Sequence, residues 1–229
     1  MSGPGRHGRF GPSGRVEAVC VSGTDLPSVE GRKPVRTGID KQLVEGRVAV
    51  GELGLDGDVQ VNRKYHGGDG QQVYAYAQED ADWWEAELGR ELPAGRFGEN
   101  LRTSGIDLTA ALLGERWRVG TALLEVTAPR IPCANFARFW DVPQLVKRFT
   151  ARGTPGAYLR VLETGELGAG DAIEVVSRPD HDVTIDLTFR AWTTQKYRAA
   201  QLEPALAYLP ERNRAKAAAR VAARTAPAV

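Results

Sequence analysis

Pro129-Arg130-Ile131-Pro132-Cys133-Ala134-Asn135 sets a cysteine between a strand-like run, Leu123-Leu124-Glu125-Val126-Thr127, and a helix-like segment near Asp141. Proline fixes φ and biases the residue before it away from the α region, so two prolines hold this loop extended. Cys133 is expected on a stiff turn at a strand end, with Arg130 and Asn135 as flanking donors. Two readings stand at this point. Cysteine is among the most buried residue types, which favours packing. A thiolate is also a nucleophile and a soft metal ligand, and neighbouring cations favour it.

Outward from this loop the chain reads as short strands. Leu112–Val119 and Ala122–Thr127 form a hairpin about Gly120, and Ala157–Leu162 and Ala172–Val176 follow across a glycine-bearing stretch, 163–171. Upstream lie Val16–Val21, Arg47–Val50, Gly51–Leu55 and Gln71–Ala77, with a tight turn at Asp56-Gly57-Asp58 and a strand start at Val59-Gln60-Val61. Gln78–Leu88 reads as a helix stopped by Gly89. A second helix is predicted from Asp141 as N-cap, with Pro143 in its first turn, Gln144 as the capping-box partner and Gly153 as its end. Many short strands with glycine turns and few helices predict a mainly β fold, a closed or nearly closed barrel over residues 15–178. Residues 179–229 change character and predict a small C-terminal helical appendage, with Pro210 at a helix start. So short a piece is expected to dock on the barrel or on a second subunit. Residues 1–14, rich in Gly, Ser, Pro and Arg, lack the apolar core of a signal peptide and read as a disordered lead-in.

Composition narrows the classes. Thirty basic and 29 acidic residues give no reason to expect a nucleic-acid partner. The basic run Arg212, Arg214, Lys216, Arg220 and Arg224 reads as a solvated helix face. Two cysteines exclude a disulfide framework and a paired-cysteine zinc site; Cys20, in an apolar strand, reads as core. No apolar run is long enough for a membrane span, and the expected compartment is the reducing cytoplasm.

Two further segments can carry chemistry. Lys64-Tyr65-His66-Gly67-Gly68-Asp69-Gly70 is a loop whose backbone can approach a ligand or form an anion nest, although His66 alone also suits a hydrogen-bonded turn. In Phe97-Gly98-Glu99-Asn100-Leu101, Asn100 is either a turn cap or a ligand-binding amide.

Taken in order, His66-Gly67-Gly68 before Val73-Tyr74-Ala75-Tyr76, then Gly98-Glu99-Asn100-Leu101, then Gly120, then Pro129-Arg130-Ile131-Pro132-Cys133, resemble the MOSC domain (molybdenum-cofactor sulfurase C-terminal domain), in its YiiM-like bacterial branch. The resemblance covers residues 15–178; the tail more loosely resembles that branch's three-helix appendage. It implies a β-barrel that binds the molybdenum cofactor, a pterin dithiolene with a terminal phosphate. Cys133 falls on the family's protein ligand to molybdenum. Asn100 falls on a pterin contact, and Lys41, in Thr37-Gly38-Ile39-Asp40-Lys41, on a phosphate partner. His66, Gly67 and Gly68 would wall the cofactor site, with Asn135 beside it. Arg130 would hold the thiolate ionised or bind substrate oxygen. Pyridoxal phosphate binding is a further association at the level of the family. This chain departs from many relatives at Asp58-Val59, where they carry Asp-Arg, and at Asp69, where they carry proline.

The implied activity is reduction of small N-hydroxylated compounds, such as N-hydroxylated purines, by oxygen-atom transfer at molybdenum. The chain carries no nicotinamide, flavin or four-cysteine signature, so a separate electron-donor protein is implied. The resemblance allows a homodimer and involves no membrane. The alternatives are a non-catalytic carrier of the cofactor, or of sulfur on Cys133, and a fold of this kind without cofactor.

Overall fold

The computed structural model describes residues 12–22, 38–59 and 68–225. His66 and Gly67, the strand start beyond Val59 and residues 1–11 of the lead-in lie outside these. Eleven strands are present among the described residues: β1 (Pro12–Val21), β2 (Gln42–Leu43), β3 (Arg47–Gly51), β4 (Gly54–Leu55), β5 (Val73–Ala77), β6 (Leu101–Ser104), β7 (Arg116–Val119), β8 (Ala122–Pro129), β9 (Ala157–Glu163), β10 (Gly165–Gly168) and β11 (Ala172–Ser177). The helices are α1 (Gln78–Leu88), α2 (Ala134–Trp140), α3 (Leu145–Arg152), α4 (Ile185–Trp192) and α5 (Glu211–Thr225), with a 3₁₀ segment over Lys196–Tyr208. Helical and strand residues are roughly equal in number.

Seven strands, in the order β11-β7-β8-β9-β5-β6-β1, make one sheet, and β1 pairs with β11 to close it into a barrel. β2 extends β1, while β10, β3 and β4 form a separate three-stranded sheet. The β5–β6 pair is parallel and the other pairs are antiparallel. A parallel pair needs a crossover, and α1 with the turn after it supplies one. α1 has the bounds its sequence predicts, and Gly89 ends it in the left-handed conformation. β8 lies between β7 and β9 and buries all eight of its residues, as a barrel strand covered on both faces must. Its one acid, Glu125, is held by Arg116 at 3.3 Å and Arg160 at 2.9 Å.

The barrel core is aliphatic around Trp117, and Val183, Ile185, Leu202, Leu209, Ala217 and Val221 of the helical tail belong to it. The tail therefore docks on the barrel, burying apolar residues that so short a segment could not bury alone. A second core is aromatic: Tyr74, Tyr76, Trp84, Phe97, Phe136, Trp140 and Phe149 pack together, with Ile39 and Leu92. Tyr76 stacks on Phe97 at 4.0 Å, and Trp84 on Phe149 at 5.9 Å.

The structure corrects local expectations. A helix, α2, starts directly after Cys133, because it carries Phe136 and Trp140 into the aromatic core. Asp141 ends that helix at φ 49° and does not cap the next one; Gln144 precedes α3 at φ 55° with no side-chain cap. Glycine 153 ends α3 as predicted. β10 falls in the glycine-bearing stretch expected to separate two strands, and β6 in a stretch given no expected element. β1 begins at Pro12, so it takes up the end of the 1–14 stretch.

Candidate functional site

The loop after β8 delivers Arg130 and Cys133 to the rim of the aromatic core. Cys133 takes the N-cap position of α2 with extended backbone, φ −120° and ψ 171°, as N-cap residues ordinarily do. Its side chain is partly buried against the aromatic cluster. Neither Cys133 nor Cys20 is in a disulfide.

Arg130 is buried. Its Nη1 donates to the Phe97 carbonyl at 2.6 Å, and its guanidinium lies 4.2 Å from the Phe136 ring centre and 5.3 Å from that of Tyr74. Burial works against its charge, but Tyr74, Tyr158 and Cys133 nearby outweigh that and hold its pKa above the ordinary value. Among the described residues Arg130 makes no ion pair with a carboxylate. Burial raises the pKa of Tyr74 and of Tyr158, so both phenols keep their protons at neutral pH. The Tyr74 hydroxyl donates to Pro155 O at 2.7 Å.

Lys41 and Asn100 meet elsewhere, at Asp58. Lys41 Nζ pairs with Asp58 Oδ1, which also accepts from the Ser22 amide at 2.9 Å. Asn100 Nδ2 donates to Asp58 Oδ2 at 2.9 Å and to Cys20 O at 3.2 Å, and its Oδ1 accepts from the Tyr74 amide at 3.1 Å. Both N–H bonds of the Asn100 amide are thus engaged within the fold. Burial lowers the pKa of Lys41, and Asp58 opposes that.

Glu99, beside Asn100, accepts from the Gly95 and Phe97 amides at 2.9 Å each and pairs with Arg102 at 2.5 Å, all of it buried. The turn it organises presses on Lys41. Gly95 has φ +89°, and a Cβ there would stand 2.2 Å from Lys41 O. The whole assembly surrounds Cys20, whose thiol is pushed up to about 12 by burial, with Glu99 adding to it.

The described end of the glycine loop lies against the helical tail. Gly70 has φ +81°, and a Cβ on it would come within 2.9 Å of the Pro210 ring. Asp69 pairs with Arg160 at 2.8 Å, so the departure from proline at this position has a partner of its own. The Asn135 side chain lies outside the described residues.

Sequence reasoning missed Asp58 as a hub, Glu99 as the organiser of its turn, and the two tyrosines against Arg130. Glu99 and Arg102 at i and i+3 beside a glycine turn are a local signal. Tyr158 shows none, since only the β8–β9 pairing brings it under the loop, with Ala128 and Pro129 opposite Tyr158 and Ala157.

A closed seven-stranded barrel with this cysteine loop and a helical tail defines a MOSC protein. The MOSC domain model matches residues 62–174, and the chain belongs to that family. The uncharacterized protein YflK of Bacillus subtilis (strain 168) is 32% identical over 158 residues, 69% of this chain and 72% of that one. A protein named "Reductase" from Gibberella moniliformis (strain M3125 / FGSC 7600) is 32% identical over 149 residues, 63% of this chain; the match spans only 26% of that longer protein. In three dimensions the chain is similar to YiiM from Geobacillus stearothermophilus, with a TM-score of 0.74, 28% identity, and 91% and 99% of the two chains covered.

Proposed function

We propose that this protein binds the molybdenum cofactor and reduces N-hydroxylated compounds, with Cys133 as the protein's ligand to the metal. The observation that carries this is Arg130, a guanidinium buried in an aromatic wall beside Cys133 with no carboxylate partner among the described residues. A buried cation of that kind is costly unless an anion shares its surroundings. A thiolate at Cys133, or an anionic oxygen on a ligand, supplies one.

The residues present fit the cofactor. Among the described residues no group of three or more His, Cys, Asp or Glu side chains could hold a metal ion. A metal at Cys133 would therefore bring most of its ligands with it, as a dithiolene-bound metal does, and a thiolate suits such a soft centre. When bound, the cofactor supplies the redox chemistry; the protein supplies binding, orientation and electrostatics.

In this proposal Cys133 would ligate the metal from the N-cap position of α2. Arg130, fixed at Nη1 by Phe97, presents the rest of its planar fork to an oxygen on ligand or substrate. Tyr158 holds a proton at Oη beside them. Lys41 and Asn100, paired through Asp58, brace the wall on which Tyr74 lies, and Gly68 continues the loop expected to border the cofactor. Electrons come from a separate donor protein. The family's association with the molybdenum cofactor and the reductase-named relative support the reading.

The test is production in a host that makes the cofactor, followed by metal analysis, pterin fluorescence, and an assay on N-hydroxylated purines with a chemical reductant. Stoichiometric pterin without any such reduction sinks the enzyme. Labile sulfur on Cys133 without pterin favours the sulfur carrier.

A further inference from the structure

Arg212, Lys216 and Arg220 stand at i, i+4 and i+8 on α5, which is the spacing of one helix face. The flank next to this stripe is buried in the barrel core through Ala217 and Val221, and Ala217 also reaches the cleft that the stripe borders. The basic face is not simply solvated, as its composition alone suggests. It forms one wall of a cleft of about 510 Å³. The other wall is apolar and aromatic: Pro129, Ile131, Tyr158 and Trp192. Among the described residues no carboxylate lines the cleft, and none of the three cations makes an ion pair. Arg212 is steered by a neutral partner, the Gln71 side chain, to which it donates. Its partial burial disfavours its charge, and no carboxylate offsets that.

Pro129 and Ile131 belong to the Cys133 loop, and Tyr158 lies opposite Ala128 on the neighbouring strand, under that loop. The cleft therefore abuts the candidate site. Its size falls in the range of small-molecule pockets. Three cations opposite flat apolar surface suit a ligand with a phosphate at one end and an aromatic ring at the other.

We propose that this cleft binds the phosphate of a nucleotide-like substrate, seated on Arg212, Lys216 and Arg220, with its base directed along Tyr158 toward the Cys133 loop. The phosphate-binding part stands on the cleft itself. The assignment to substrate rests on the reductase reading above.

Calorimetric titration of the full chain with AMP, adenosine and inorganic phosphate tests the first part. AMP is expected to bind at least about tenfold more tightly than adenosine, and K216E and R220E are each expected to remove about that factor while adenosine binding is unchanged. Lys216→Arg should restore AMP affinity. Equal binding of AMP and adenosine overturns the proposal and leaves the reductase reading untouched. So does loss of pterin from K216E with AMP affinity intact, which would give the cleft to the cofactor's own phosphate. For the second part, the holoprotein should reduce an N-hydroxylated nucleotide with a higher kcat/KM than its nucleoside, and K216E should erase that preference. Reduction of neither, with AMP binding intact, removes the substrate assignment and the reductase reading together.

Discussion

The two cysteines sit in opposite kinds of interior. Around Cys20 every buried charge has its counter-charge: Lys41 with Asp58, and Glu99 with Arg102. Asn100 ties these groups to the Cys20 carbonyl, and the thiol is held protonated. Around Cys133 the surroundings are aromatic, and the buried cation, Arg130, has no carboxylate partner among the described residues. A balanced interior stabilises itself, and under the proposed function the unbalanced one is the part of the wall that meets a ligand.

The sharpest way to break this contrast is reactivity. At neutral pH an alkylating reagent should modify Cys133 at least about a thousandfold faster than Cys20, whose thiol near 12 is almost wholly protonated and buried. Peptide mass spectrometry of the folded chain reads the ratio, and comparable rates would dissolve the distinction. Next comes function. Cys133→Ser should lower reductase activity and molybdenum content at least about a hundredfold with an unchanged Tm, whereas Cys20→Ala should keep both and cost about 1–2 kcal/mol of stability. Third, Asp58→Ala strands the Lys41 ammonium in the interior and should cost about 3–5 kcal/mol in denaturant unfolding. Arg130→Met strands no buried charge, only the Phe97 carbonyl, and should cost no more than about 2 kcal/mol while activity collapses. A loss as large as that of Asp58→Ala would make Arg130 a structural residue.

The smallest effect is a pH slope. Burial pushes the Asp80 carboxyl up to about 6, from 3.8, despite Arg152 at 3.4 Å. The folded state then binds this proton more tightly than the unfolded state does. The contribution is full below 3.8 and is lost as pH rises through about 6. Asp80→Asn should flatten the stability profile over that interval, and an unchanged slope would show that another group sets it.

Much of this was legible where the physics is local. The bounds of α1 and the stop at Gly153 follow from glycine and apolar spacing within a few residues. The barrel was legible as a pattern of short strands, although its closure through β1 and β11 was not written in any one of them. α2 was hidden because the restriction by Pro132 falls on itself and Ile131 and leaves the chain after it free, and Phe136 and Trp140 draw that chain inward. The roles of Asp58, Tyr74 and Tyr158 depend on partners far along the chain. The basic stripe of α5 was visible as spacing, but the wall it faces was not.

Gly70 leaves a last consequence. Its backbone lies flush against Pro210, at the start of the helix that bears that stripe. A side chain at 70 would have to displace the helix, and a shift of the helix would have to drag the loop. The two positions can therefore vary only in concert. Part of the glycine content near His66 answers to inheritance from a contact at the far end of the polypeptide, so glycine at 70 taken alone is no sign of a ligand.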